Sequence, residues 1–272
     1  ITFTGAFHGR SLGAINAGGN PKYLEGFGPK LPGFVHLEWG DHEALKEAAA
    51  RPTAAAIFVE PVQGEGGVRA MPDQCLIGLR ELCDEHGILM ILDEVQCGMG
   101  RTGKLFAHDW VEGAEPDILC AAKGIGGGFP FGACLTTEAC AEHMQPGSHG
   151  STYGGNPLAM AVGNAVWDII ANEDFLAEVR RVSGTLAQGL KSLADSHPDK
   201  VEGVTGKGLL TGLKMKSDPK PLQGICRDNN LLVGVAGANV LRLAPPLIIT
   251  DEHVREATGI IDAALTEWVL PA

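Results

Sequence analysis

Residues 88–94 have the sequence ILMILDE, a short apolar run that ends in two carboxylic acids. A helical pattern precedes it from Asp73 to His86, with apolar residues three to four positions apart and Gly87 placed to end the helix. Further apolar runs lie at residues 54–59 and 118–122. Continuous apolar strands that alternate with helices predict an α/β fold, a mostly parallel sheet with helices on both faces.

A polar residue stands at the end of each apolar run. Glu60 follows the first run, Asp93 closes the second and Lys123 follows the third. In open α/β sheets, ligands bind beyond the carboxyl ends of the strands. We therefore expect these three side chains to lie at one edge of the sheet, facing a binding crevice.

The pattern changes in the second half of the chain, so we predict two domains, residues 1–165 and residues 166–272. The second would be a smaller α+β domain. Its expected elements are an amphipathic helix capped by Asp174, strands at 208–215, 231–235 and 240–243, a helix at 221–229, and a last helix capped by Thr250.

Composition narrows the functional classes. The formal net charge is −12, which disfavours binding to a phosphate backbone or an anionic membrane surface. No apolar run approaches the length of about 20 residues that spans a bilayer. The seven cysteines form no C-x-x-C pair, so we expect reduced thiols, a cytoplasmic protein and no metal site.

Two glycine-rich turns contain a lysine. Residues 98–104 fit the pattern G-x-x-x-x-G-K, but Leu105 cannot ligate Mg²⁺, so we expect a tight turn there and no nucleotide-binding loop. Lys123 begins the turn KGIGGGFP. Taken together with Asp93, it fits a pyridinium cofactor whose aldehyde bonds to a lysine and whose ring nitrogen is held by a carboxylate.

Several short motifs extend this interpretation over the whole chain. They are FHGR at 7–10, EPVQGEGG at 60–67, DEVQ at 93–96, GRTG at 100–103, AKG at 122–124, HGSTYGGNP at 149–157 and RLAPP at 242–246. In order and spacing these motifs resemble the class III aminotransferases. The resemblance implies a fold-type-I transferase dependent on pyridoxal 5'-phosphate, with residues 1–165 as the C-terminal portion of the large cofactor-binding domain.

The resemblance also implies roles for individual residues. Lys123 would form the Schiff base and move the proton, while Asp93 would keep the ring nitrogen protonated. Gln96 would bond the phenolic oxygen, and Phe7 would stack on the ring. Thr152 would bind the cofactor phosphate of the neighbouring subunit, which implies a homodimer. The implied cofactor-binding set is Phe7, Asp93, Glu94, Val95, Gln96, Lys123 and Thr152.

Two arginines fit substrates that carry carboxylates. By resemblance, Arg10 grips a carboxylate of an acylated amino donor, and Arg242 grips the α-carboxylate of 2-oxoglutarate or glutamate. Glu65 would neutralise Arg242 while the amino donor is bound, and Ser151 would touch substrate. The implied reaction moves the terminal amino group of N2-acetyl-L-ornithine to 2-oxoglutarate, a step of arginine biosynthesis. We interpret His8 as a structural residue.

Other interpretations stay open. The amino donor could be ornithine, succinylornithine or 4-aminobutyrate, although His8 after Phe7 favours the acetylornithine branch. The segment that precedes Ile1 in relatives is absent, so we expect a chain that is incomplete at its start. A third hypothesis is therefore an inactive fragment of such an enzyme.

Overall fold

The computed structural model describes residues 1–237 and 239–269. The helices are α1 (Leu12–Gly18), α2 (Pro21–Leu24), α3 (His42–Ala49), α4 (Asp73–His86), α5 (Glu138–Ala141), α6 (Pro157–Ile170), α7 (Glu173–Ser196), α8 (Lys220–Asp228) and α9 (Asp251–Glu267). The strands are β1 (Thr2–Phe3), β2 (His36–Leu37), β3 (Ala56–Val59), β4 (Val62–Gln63), β5 (Arg69–Ala70), β6 (Leu89–Asp93), β7 (Ile118–Ala121), β8 (Ala133–Thr136), β9 (Val201–Lys207), β10 (Leu210–Met215), β11 (Gly234–Ala236) and β12 (Val240–Leu243).

The sheet of the first half has the strand order β3-β6-β7-β8. The first three strands are parallel, and β8 joins the edge antiparallel to β7. Helix α4 makes the crossover from β3 towards β6, as parallel neighbours require. The α/β architecture with a mostly parallel sheet is thus confirmed.

Helix α4 has the bounds that the sequence predicts. Its residues Leu76, Leu79 and Cys83 are buried, and they belong to one core with Ile57 and Met90 of the central strands. The helix ends at Gly87, whose left-handed backbone lets its N–H donate to the carbonyl groups of the last turn. The position of Gly87 and the spacing of the apolar residues indicate the same helix, so the local sequence was sufficient to predict the bounds of α4.

The second half contains an antiparallel sheet in the order β11-β12-β10-β9, covered by α7, α8 and α9. These elements share a separate hydrophobic core of residues between Val179 and Trp268. The sequence analysis missed β9, because Gly203 and Gly206 interrupt its apolar pattern. The strand forms because β10 pairs with it along nearly its whole length.

Two predicted details in this half were wrong. The cap of α7 is Asn172, whose side chain accepts hydrogen bonds from the N–H groups of Asp174 and Phe175. The strand predicted at 231–235 begins only at Gly234. Residues 231–233 lie in the connection after α8, where the Leu231 N–H donates to the Cys226 carbonyl of that helix. The division at residue 165 stays a prediction, and α6 runs continuously across it.

The helices and the cysteines bear on the expectations about membrane spans and disulfide bonds. Within residues 1–237 and 239–269, no helix is both long and apolar enough to cross a membrane. All seven cysteines are free thiols.

Candidate functional site

The polar residues that follow the central strands lie side by side. In the parallel register Val59 pairs with Leu92, so Glu60 and Asp93 come at the same level of neighbouring strands. Asp93 in turn pairs with Cys120, three residues before Lys123. The register thus brings the ends of the three strands to one edge of the sheet. That the three side chains face a binding crevice stays a prediction.

Lys123 has an unusual backbone. It opens a short 3-10 turn directly after β7, with a φ of 47°, and it is exposed. A residue with a side chain adopts this left-handed conformation at a cost of about 1 kcal/mol, and such strain clusters at functional sites. The backbone therefore turns out of the sheet at the point where the predicted reactive amine is attached.

Asp93 is buried and held on both carboxylate oxygens. Its Oδ1 accepts a hydrogen bond from the Val95 N–H at 3.0 Å, and its Oδ2 lies 2.9 Å from Nδ1 of His8. The His8 side chain has no exposed area and stacks on Phe58 with ring centroids 3.8 Å apart. His8 is therefore more than a filler of space, because it orients the carboxylate that the sequence assigns to the cofactor.

Gln96 lies three residues beyond Asp93, next to Gly64. Its Oε1 is buried and has no hydrogen-bond partner among the described residues. A Cβ atom at Gly64 would lie 1.2 Å from that oxygen, so the Gln96 amide occupies the space that glycine leaves free. A buried acceptor oxygen without a protein partner is normally satisfied by a donor from a water or a ligand.

Arg10 and Phe7 form an aromatic cluster with Tyr23. The guanidinium of Arg10 stacks 3.8 Å from the centroid of the Tyr23 ring and 5.3 Å from that of Phe7. Phe7 meets Tyr23 edge to face, at 6.0 Å. Arg10 is exposed, and stacking uses the face of its guanidinium, which leaves the N–H edges for a carboxylate. The sequence analysis missed Tyr23, which lies in the short helix α2.

Arg242 and Glu65 form the ion pair that the sequence predicts. Arg242 Nη1 lies 2.6 Å from Glu65 Oε1, and it also donates to the Gly64 carbonyl at 3.2 Å. Arg242 belongs to β12 of the second half, whereas Glu65 lies in the turn between β4 and β5. The pair is partly exposed, with 19% and 39% of the two side chains accessible, so an incoming carboxylate can replace Glu65.

Glu60 is a buried acid at the same edge of the sheet, where the sequence analysis expected it, but the family resemblance assigned it no role. Its carboxylate accepts hydrogen bonds from the N–H groups of Phe7 at 2.9 Å and Gly64 at 3.2 Å. Burial raises the pKa of Glu60 to about 7, although the two backbone hydrogen bonds oppose this rise. Its position directly after a buried strand was the signal for it in the sequence.

Other predicted residues have different surroundings. The Glu94 carboxylate is fully buried and accepts hydrogen bonds from the N–H of Ala107 and from the N–H and ring of His108. Burial is the largest single effect on the pKa of His108 and lowers it, but the hydrogen bond and charge of Glu94, with the charges of Asp109 and Glu115, together raise the pKa above its ordinary value. Ser151 and Thr152 are exposed in the loop before α6. The roles of these residues stay predictions.

The glycine-rich loop at 98–104 is a tight turn, as predicted. It contacts the second half of the chain through Arg101, whose Nη1 donates to the carbonyl of Leu209 at 3.2 Å and to that of Pro245. At Gly103 the loop meets Arg180 of α7, which donates to its carbonyl at 2.8 Å. The loop therefore joins the two halves of the structure.

Comparison with protein families gives a match over residues 1–265 with the family described as aminotransferase class-III. Among curated proteins, an acetylornithine aminotransferase of Mesorhizobium japonicum is 56% identical over 263 residues, covering 97% of this chain and 65% of that protein. Acetylornithine aminotransferase 2 of Caulobacter vibrioides is 55% identical over 262 residues, covering 96% and 65%. The chain thus spans about 65% of the length of these relatives.

Solved structures agree with this result. The ornithine aminotransferase of Toxoplasma gondii superposes with a TM-score of 0.92 at 34% identity, covering 98% of this chain and 64% of that one. The N-acetylornithine aminotransferase of Stenotrophomonas maltophilia gives a TM-score of 0.80 at 36% identity, covering 98% and 65%. These neighbours have the fold-type-I architecture that the sequence motifs imply.

Proposed function

The chain belongs to the class III aminotransferases, and from that premise we propose that it transfers the terminal amino group of N-acetylornithine to 2-oxoglutarate, with pyridoxal phosphate as the cofactor. The observation that carries the proposal is the placing of Asp93 and Lys123 at the carboxyl ends of adjacent parallel strands. The substrate is supported by identities of 50–56% to bacterial acetylornithine aminotransferases, against 34% to an ornithine aminotransferase of solved structure.

The residues at the site fit this cofactor. Asp93 is a buried carboxylate that is already oriented by two hydrogen bonds, as a partner for a protonated ring nitrogen should be. The amide oxygen of Gln96 is buried and lacks a partner among the described residues. Lys123 would hold the cofactor covalently, and Phe7 would cover one face of the ring.

Pyridoxal phosphate, when bound, supplies an aldehyde that takes up the amino group and a ring that accepts electrons. The chain supplies the proton transfers. Lys123 Nζ would accept the proton of the substrate carbon and return it on the cofactor side. The Asp93 carboxylate would keep a proton on the ring nitrogen, because a buried anion stabilises the cation beside it.

The arginines sort the two substrates by their carboxylates. Arg10 would bind a carboxylate of either substrate with its free N–H edges. N-acetylornithine has no carboxylate beside its terminal amino group, so Glu65 would stay paired with Arg242 while it is bound. The α-carboxylate of 2-oxoglutarate would displace Glu65 and take the Arg242 guanidinium. One ion pair could in this way serve two substrates of different charge.

We extend the proposal to a cytoplasmic homodimer. Its support is the exposed loop with Ser151 and Thr152, together with exposed apolar residues of α6 such as Leu158 and Ile169. Both features are consistent with a surface that a second subunit covers. Sedimentation of the protein with and without the cofactor tests this part directly.

Borohydride reduction of the protein with pyridoxal phosphate, followed by peptide mapping, tests the cofactor site. We expect label on Lys123 and none on Lys123→Ala, with Lys104→Ala as the matched control that retains the label. A separate sample of the protein with pyridoxal phosphate, not treated with borohydride, is assayed for glutamate formation from 2-oxoglutarate with N-acetylornithine or ornithine. Label scattered over surface lysines would contradict the cofactor site, and faster use of ornithine would contradict the substrate.

A further inference from the structure

Glu60 is a buried titratable residue that the proposed mechanism does not use. Only 4% of it is exposed, and it follows β3 directly, next to Asp93 in the sheet. A buried carboxyl group is costly unless its oxygens are paired. Because Glu60 lies at the edge of the site and its burial costs free energy, we examined which groups its carboxylate binds.

The two oxygens of Glu60 bind two different segments of the chain. Oε1 accepts from the N–H of Phe7, in the β1–α1 loop (residues 4–11), at 2.9 Å. Oε2 accepts from the N–H of Gly64, in the β4–β5 turn (residues 64–68), at 3.2 Å. The first segment carries the residues proposed to cover the ring and bind the amino donor. The second carries Glu65.

Other contacts between these segments lie farther from the site. Arg69 donates to the Thr4 carbonyl at 2.8 Å, and Gln63 donates to the same oxygen at 3.3 Å. Both of these contacts are at Thr4, whereas the Phe7 N–H donates to Glu60. The charged and titratable groups that act on Glu60 are His8, Asp93, Arg69 and Cys97.

We propose that Glu60 is a positioning residue that holds the β1–α1 loop against the β4–β5 turn. Glu60 thereby fixes the position of Phe7, which is proposed to cover the cofactor ring, relative to Glu65, which pairs with Arg242. Its significance for catalysis rests on the proposed function. The clamp itself is a property of the cofactor-free chain, so the two can fail separately.

An NMR titration of the unmodified, cofactor-free chain tests the clamp. Amide protons that are bonded to a carboxylate shift when it ionises, so the Phe7 and Gly64 amides should shift with one common midpoint near pH 7. The Met90 amide, which donates to Asp117 instead, should not shift there. Carbon signals of the His8 ring report the titration of the histidine. Amides that do not shift, or that follow His8 instead, would overturn the proposal.

Hydrogen exchange in Glu60→Gln gives a second test, with Asp117→Asn as the matched control. The glutamine retains the size of the side chain but offers one acceptor oxygen instead of two. Exchange at Phe7, at Gly64 or at both should become about tenfold faster, the effect of losing a charge-assisted hydrogen bond. Asp117→Asn weakens the pairing with Arg80 as well, but among the three amides it should speed exchange at Met90 and leave Phe7 and Gly64 unchanged. Unchanged exchange at both amides in a folded Glu60→Gln chain would contradict the clamp, and if this variant does not fold, the NMR titration decides.

The consequence for the site is measured by cofactor affinity. Binding of pyridoxal phosphate, followed by absorbance, should weaken about tenfold in Glu60→Gln because the loop that carries Phe7 is released. Unchanged affinity together with faster amide exchange would separate the clamp from cofactor binding and overturn its positioning role. A parent chain that binds no cofactor would refute the proposed function and leave the clamp to the two tests above.

Discussion

Asp93 and Glu60 are neighbouring buried acids, and their different partners give them different properties. Asp93 has a backbone N–H on one carboxylate oxygen and a histidine ring nitrogen against the other. Both oxygens of Glu60 accept hydrogen bonds from backbone N–H groups, one in each of two segments. The sequence predicts that both acids lie at the end of a strand. It cannot predict these partners, because the loops that supply them are set by tertiary packing.

Arg242→Ala tests the substrate switch. Removing the guanidinium should lower kcat/KM for 2-oxoglutarate by roughly 10- to 100-fold, since one charge-assisted carboxylate contact is lost. The half-reaction with N-acetylornithine should fall much less. Stopped-flow measurement of each half-reaction checks this, with the exposed Arg227→Ala as control. Equal losses in both half-reactions would contradict the switch.

Gly64→Ala tests the fit between Gly64 and Gln96. The new Cβ would displace the Gln96 amide, which ends a flexible side chain, so the chain should fold with a small loss of stability but bind pyridoxal phosphate more weakly. A spectroscopic titration gives the affinity. In the control, Gly184→Ala on α7, a Cβ meets no atom within 4 Å and should stabilise the helix by up to about 1 kcal/mol. Parent-like affinity in Gly64→Ala would show that the Gln96 amide does not contribute to cofactor binding.

At the scale of single elements, the sequence predicted the bounds of an element correctly where its local signals agreed and tertiary contacts were not needed to specify it. The bounds of α4 follow from apolar spacing and Gly87. In contrast, the glycines of β9 disfavour a strand, and the strand is specified by its pairing with β10. The cap of α7 was misplaced because Asn172 and Asp174 are both good capping residues, and geometry alone distinguishes them.

Asn172→Ala should therefore destabilise the protein by about 1 kcal/mol, the usual value of a lost helix cap. Asp174→Ala should cost less, because Asp174 contributes only its charge in the first turn. Urea unfolding at one pH compares the two variants. A larger loss in Asp174→Ala would restore the cap that the sequence predicted.

At the scale of the whole molecule, the two halves meet at the loop at 98–104, at the Glu65–Arg242 pair, and in a third hydrophobic core to which both halves contribute residues. The sequence motifs placed Arg242 and Glu65 in one site by family resemblance. Nothing in their spacing of 177 positions predicts contact. Long-range pairs of this kind follow from the complete fold, which a linear pattern does not contain.

The free energy of unfolding should depend on pH through the ionisation of Glu60. Its pKa is about 7 in the folded chain and 4.5 as the reference value, so the folded state binds more protons between these pH values. Stability from Glu60 is present below pH 4.5 and is lost as the pH rises through 7, by about 3 kcal/mol. Urea unfolding of the parent and Glu60→Gln at pH 5, 6, 7 and 8 measures the difference. Parallel curves would contradict the shift.

Arg101 connects the two halves through carbonyl oxygens alone, and this bears on how the protein responds to ionic strength. Exposed ion pairs such as Arg181 with Asp251 weaken as salt shortens the Debye length from about 8 Å at 0.15 M to about 3 Å at 1 M. A guanidinium that is mostly buried and faces neutral oxygens has no opposite charge to be screened. Concentrated salt should therefore loosen contacts between surface helices while this link between the halves persists.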